Sequence, residues 1–308
     1  DKYAGLAPSE YLARDWPDLD LDDPQEPSTE LLVNAARAAE AAAMEVKGVT
    51  NSEGGGADYG RSMVTLATSE GFLGGYAGTS RGVSVSVIAG NDDAMERDYD
   101  YARARHAVDL EAAIAIGKRA GERAVARLNP RNEKTEAVPV VFDPRVSSSL
   151  VGHFVRAISG TAIARGVSFL KDRLGEQVFA AGITIVDDPH RKRGLRSKPF
   201  DGEGVANRLT KLIEKGRLTT WLLDSASARQ LGLATTGHAA RGTGGPPSPS
   251  TSNLYMAAGA LTPADLMADV REGFYVTELI GMGVNSVTGD YSRGAAGFWI
   301  ENGQISYP

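Results

Sequence analysis

Residues 276–303 read VTELIGMGVNSVTGDYSRGAAGFWIENG, a stretch that no regular helix can hold. Glycines at 281, 283, 289, 294 and 297 free the backbone for positive φ or for close approach to another surface. The Val, Ile, Phe and Trp residues around them favour strands. The run therefore predicts short strands joined by tight turns, with Asn302-Gly303 as a hairpin turn. It also gathers Asn285, Thr288, Asp290, Tyr291 and Arg293, a polar density unusual for packing alone.

The rest of the chain bounds what such a frame can belong to. At 308 residues and 42% hydrophobic content it can fill one large core or two moderate ones. No apolar run approaches the roughly 18 residues of a membrane span, and no charged-then-apolar leader follows Asp1. Cysteine is absent, which removes disulfides and thiolate chemistry and fits a reducing compartment. A net charge of −6 opposes direct nucleic-acid binding, which needs a basic face. These features predict a soluble, cytoplasmic globular protein.

Residues 1–27 are rich in Asp and Pro and read as a solvated acidic connector. Ser28 can cap an alanine-rich helix whose apolar face is Leu31, Ala35, Ala38 and Ala42. Three strands, 61–68, 71–79 and 82–89, follow as a meander turning at Glu70-Gly71 and Arg81-Gly82. A second helix is predicted over 109–128, with Leu110, Ile114, Gly117, Gly121, Ala124 and Leu128 in register. Polar residues 129–137 form the best internal boundary, dividing the chain into 1–132 and 133–308.

Beyond it, 138–142 reads as a strand and Asp143-Pro144 as the cap and first turn of a helix with Val146, Leu150, Phe154 and Ile158 on one face. Strand 182–186, a basic loop 187–199 and a hairpin of 205–213 with 217–223 come next. Residues 241–252 predict a long loop without regular structure, and Thr262-Pro263 a short helix.

Several chemical motifs fail on context. Gly78-Thr79-Ser80-Arg81-Gly82 matches a nucleophile elbow, but a strand follows where a helix is required, so a turn is the better reading. Ser168-Phe169-Leu170-Lys171 matches S-x-x-K without its companion motifs. Residues 97–106 interleave Tyr99 and Tyr101 with bases, yet the neighbouring acids favour a solvated face or a domain contact. His106, His153, His190 and His238 are too far apart for a local zinc pair, which leaves only a site assembled from distant histidines.

At 276–303 the sequence resembles the TldD/PmbA family (peptidase U62, also labelled modulator of DNA gyrase), in its PmbA, or TldE, branch. The resemblance extends to GVTNSEG at 48–54, ARGVSFLKDRLG at 164–175, FDGEGVANR at 200–208, TTWLLDSASARQLGL at 219–233, and TTGHAARG followed by GGPPSPSTSNLY. It thus covers almost the whole chain. Against the family, the chain is expected to begin inside the N-terminal domain and to stop before the last strands.

The resemblance implies an α+β fold: a partial N-terminal α/β domain, then a C-terminal domain on a large antiparallel sheet. It implies a cytoplasmic peptidase pairing a TldD-like with a PmbA-like subunit and acting on small or unfolded peptides. In the TldD branch an H-E-x-x-x-H helix supplies two zinc histidines and the glutamate that activates water. The matching segment here runs from Ser148 to His153: Ser148 replaces the first histidine and Ser149 the glutamate. A catalytic zinc needs about three protein ligands, and its water needs a base. The resemblance therefore implies no metal and no catalytic residue in this chain, with zinc in the TldD-like partner.

Asn285, Thr288, Asp290, Tyr291 and Arg293 are then candidates for lining the peptide cavity, although Asp290 and Arg293 could equally brace a turn. A homodimer of the isolated chain, a regulatory protein acting on gyrase, and an independent hydrolase using the Asp290 and Glu203 carboxylates stay open.

Overall fold

The structure, a computed structural model, describes residues 2–308. Two helices and three strands build the first half. Helix α1 (Thr29–Met44) starts where the Ser28 hydroxyl accepts the Leu31 amide at 3.2 Å. Its inward face is Ala35, Ala39 and Ala43, rotated from the predicted one; Leu31 lies in solvent. Alanines along the helix give little periodic contrast, so the buried stripe is chosen by what packs on it. That is helix α2 (Ala113–Ala126), which approaches so closely that a Cβ on Gly117 would stand 2.0 Å from the Ala39 carbonyl oxygen.

Both helices cover an antiparallel sheet of β1 (Val49–Ala67), β2 (Leu73–Ala89) and β3 (Glu96–Ala104), in the order β1-β2-β3. Val83, Val85 and Val87 of β2 fill the core beneath them. The meander is present with different strands from those expected. Glu70-Gly71 turns, but Arg81-Gly82 lies inside the continuous β2, opposite Tyr59 and Asp58. The elbow-like Gly78–Gly82 segment is therefore mid-strand and neither a turn nor a nucleophile site.

The third strand is the segment read as a solvated face or a domain contact. Its burial is inverted: Asp98 and Asp100 point inward and Tyr99 and Tyr101 outward. Arg119 and Arg123 from α2 hold Asp100 at 2.6 and 2.8 Å, and Arg145 holds Asp98 at 2.7 Å. Paired in this way, buried carboxylates are tolerated.

The acidic leader is likewise not a free connector. Leu19 and Leu21 are buried, the Thr79 amide donates to the Leu21 carbonyl at 2.9 Å, and the Asp23 amide donates to Thr79 Oγ1 at 2.9 Å. The segment runs beside β2 where β3 has ended.

In the second half, β4 (Val140–Phe142) leads into helix α3 (Pro144–Ala157) and the short α4 (Gly160–Ala164). Two four-stranded sheets follow. One joins β5 (Ile185–Asp188), β6 (Thr210–Glu214), β7 (Arg217–Leu218) and β10 (Asn253–Met256), in the order β10-β5-β6-β7. The hairpin turn at Lys215-Gly216 is as expected, but its strands are shorter than 205–213 and 217–223. Helix α5 (Ser225–Leu231) follows, and β8 (Ala239–Ala240) pairs with β9 (Ser248–Pro249), the latter inside the 241–252 segment expected to lack regular structure.

After α6 (Pro263–Met267), opened by a Thr262–Asp265 capping box, the second sheet forms. It contains β11 (Glu272–Ile280), β12 (Gly294–Glu301) and β13 (Gln304–Ile305), ordered β13-β12-β11-β4. Among the pairings of these named strands only β4 against β11 is parallel. Phe154, Ile158, Leu212, Ile213, Leu218 and Leu222 form the core of this half.

The chain is thus α+β, with its second half built on two four-stranded, mainly antiparallel sheets and the β8–β9 pair. No helix among the described residues is long and apolar enough to cross a membrane.

Candidate functional site

Residues 281–293 connect β11 to β12, and their polar side chains mostly fold the loop itself. Asn285 Oδ1 accepts the amides of Val287 and Thr288 at 3.0 and 3.4 Å. The Asn285 backbone donates to the Asp290 carbonyl at 2.9 Å and accepts from Gly289 at 2.8 Å. Thr288 Oγ1 donates to Asp290 Oδ2 at 2.6 Å. Gly283 is required because a Cβ there would lie 1.9 Å from the Ser292 carbonyl oxygen. Arg293 donates from Nε to the Ile280 carbonyl at 3.2 Å. Tyr291 meets another element: its ring stands edge-on to His153, centroids 5.9 Å apart.

Helix α3 positions His153. It begins as its sequence requires, with the Asp143 carboxylate accepting the Arg145 amide at 2.8 Å and Pro144 in the first turn. Ser148 is exposed, and Ser149 returns its hydroxyl to the Val146 carbonyl at 2.7 Å. His153 Nε2 is buried without a hydrogen-bond partner. Burial, and then the charges of Arg156 and Arg293, hold the imidazole below its ordinary pKa, so the neutral ring is favoured.

Two cavities flank α3. A 540 Å³ apolar cavity lies between α3 and the loop, walled by Leu150, Phe154, Phe169, Leu170, Val178 and Phe179, with His153 and Tyr291 also on its surface. A smaller, polar cavity of 310 Å³ is lined by Ser149, Arg293, Arg97, Tyr99, Arg127 and Arg145. Asn285 and Asp290 border a shallow groove on the outer side of the loop. Tyr291 and Arg293 therefore face different cavities, while Thr288 is engaged with Asp290. The cavity walls at Phe169 and Leu170 belong to the 164–175 motif. In the sequence this run stands out as an S-x-x-K match and as part of a family motif, neither of which signals an apolar wall; the Ser168 hydroxyl itself donates to the Ala157 carbonyl at 2.6 Å.

The second cavity is also a seam between the two halves. Arg145 reaches Asp98 and Arg127 Nη2 reaches Glu278 Oε2 at 2.6 Å across it, while within the second half the Tyr275 hydroxyl donates to Asp143 at 2.8 Å. Burial, reinforced by the Asp143 carboxylate, pushes Tyr275 up to about 12.

A zinc site does not fit these residues. His106 Nε2 faces the Asp20 carbonyl at 2.9 Å, His190 Nε2 faces Asn207 Oδ1 at 2.7 Å, and His238 Nδ1 faces Thr236 at 2.8 Å. None of them is thereby directed at His153. Among the described residues no three His, Cys, Asp or Glu side chains cluster to hold a metal. Glu203 accepts the Ser225 amide and hydroxyl at 2.8 and 2.7 Å at the start of α5, while Asp290 is held in its loop by Thr288, so each carboxylate has its own structural partner.

The model of the PmbA/TldA metallopeptidase C-terminal domain matches residues 135–308, and that of the central domain matches 22–128. The metalloprotease PmbA of Escherichia coli O157:H7 is 43% identical over all of this chain and 67% of its own length. The PmbA homologue of Haemophilus influenzae is 38% identical over the same shares. A crystal structure from Bacteroides thetaiotaomicron, described as a putative modulator of DNA gyrase, superimposes with a TM-score of 0.91 at 28% identity, covering 100% of this chain and 69% of that one. The chain belongs to the TldD/PmbA family of metallopeptidases.

Proposed function

We propose that this chain is the PmbA-type, or TldE-type, subunit of a heteromeric cytoplasmic zinc peptidase, and that it helps to enclose the cavity in which small or unfolded peptides are bound. The TldD-like partner would hold the zinc and the glutamate that activates water. One observation carries the reading. On α3, at the positions where the TldD branch has its metal motif, this chain presents Ser148 to solvent, Ser149 to its own helix and His153 to an apolar wall. One imidazole beside two hydroxyls supplies neither three ligands nor a base.

The experiment is reconstitution. The chain and a TldD-type subunit are purified separately, then assayed alone and mixed on an unfolded peptide. Cleavage that arises on mixing, with co-elution of the two subunits, supports the reading. Cleavage by the isolated chain, abolished by a chelator, would overturn it.

A further inference from the structure

The 540 Å³ cavity under α3 has a composition that the loss of a metal motif does not explain. Its walls are mainly aliphatic and aromatic, with Arg156 and Ser286 also on them, and His153 Nε2 lies buried at this wall with no partner. Buried polar atoms are almost always paired, and an isolated one asks for an explanation. Its volume falls in the range of sites that enclose a ligand, roughly 300–1,000 Å³. Beside it runs the shallow groove over Met282, Gly283, Val284, Asn285 and Ser286, and the two share Val284 and Ser286. The same loop therefore borders both, and an extended backbone lying along it can turn one side chain into the apolar cavity.

We infer that this cavity binds a bulky apolar side chain, of leucine or phenylalanine size, from an extended peptide, and that His153 Nε2 pairs with an amide group flanking that side chain. The inference rests on the peptide-binding role proposed above and adds a preference to it. Tyr291 is the movable part of the wall. It is 39% exposed and lies edge-on to His153, and the proposed pairing requires its side chain to turn so that the nitrogen is reached. A neutral imidazole serves as donor or acceptor according to its tautomer, so it can meet a peptide carbonyl or a peptide N–H. The apolar walls, not the imidazole, reject small and polar side chains.

The chain contains four histidines, so imidazole NMR resolves the site directly. The isolated protein is titrated with N-acetyl-L-phenylalaninamide, N-acetyl-L-leucinamide and N-acetylglycinamide, and the His153 signal is assigned with His153→Gln. The inference predicts a saturable shift of that signal with the two apolar amides and none with the glycine amide. Ala162→Trp, which fills the cavity, should abolish it. Val167→Lys, at a half-exposed position on the rim, should weaken binding by about 10-fold or more, and it carries the test if the tryptophan variant does not fold. No saturable shift, an equal response to the glycine amide, or a shift with decanoate alone would overturn the inference. The measurement uses neither a partner nor cleavage, so its failure is separate from failure of the reconstitution.

Discussion

Tyr291 packs edge-on against His153, with ring centroids 5.9 Å apart, and so couples the β11–β12 loop to helix α3. Burial and the neighbouring guanidinium groups of Arg156 and Arg293 all oppose protonation of His153. Tyr291→Ala should relieve the burial, and Arg293→Gln should remove a repelling charge. Each is expected to raise the His153 pKa toward the ordinary value of about 6.5, measured by NMR titration of its ring proton. A pKa that stays put or falls in both variants would contradict this placement of the ring.

Gly117→Ala reverses the usual sign of a helical glycine substitution. On propensity alone it gains about 1 kcal/mol. Here the added methyl would stand 2.0 Å from the Ala39 carbonyl oxygen, a backbone atom that cannot rotate away. Overpacking of this kind costs about 1–3 kcal/mol, so the variant should unfold at lower urea. A stabilised variant would refute the close α1–α2 approach.

Asp23 ties the leader to the sheet. Its carboxylate accepts the amides of Gln25 and Ala107 and pairs with Arg81 at 2.9 Å, which lowers its pKa to about 2 from 3.8. A depressed folded-state pKa adds stability that is complete above the unfolded value and lost as pH falls from there toward about 2. Asp23→Asn should therefore cost about 1–2 kcal/mol at neutral pH, and the difference should shrink below pH 4 or so. A penalty independent of pH would show that the charge is not what matters.

Arg145→Ala leaves the Asp98 carboxylate, 3% exposed, without its 2.7 Å partner. Stranding a buried charge costs about 3–5 kcal/mol. Arg127, 3.7 Å away, remains and should reduce the loss to about 2–3 kcal/mol. Adding Asp98→Asn to this variant should recover much of the stability, as a double-mutant cycle in urea would show. No recovery would mean that Arg145 acts by packing.

The sequence exposed much of this architecture wherever one residue type has one local use. Ser28, Asp143-Pro144, Thr262-Pro263 and the Lys215-Gly216 and Asn302-Gly303 turns all stand where their capping or left-handed conformations require. It misled where long-range pairing overrides local pattern. Asp98 and Asp100 read as a solvated face or a domain contact until arginines from two helices arrive, and the leader reads as a solvated connector until Leu19 and Leu21 find β2. Helix α5 carried readable signals that went unused, Asp224 as its cap and Gly232 in the left-handed region at its end. At the site, the polar density of 281–293 was visible, but its hydrogen bonds were not. Asn285, Thr288 and Asp290 bond within their loop, and the apolar walls come from segments more than a hundred residues away.

The account turns on where the metal resides, and zinc analysis after size-exclusion chromatography addresses that most directly. The chain is equilibrated with zinc, desalted and measured alone, then again in complex with a TldD-type subunit. The account predicts no retained zinc in the isolated chain and one zinc per heteromeric pair in the complex. One tightly held zinc per isolated chain, lost on substituting His153, would contradict it.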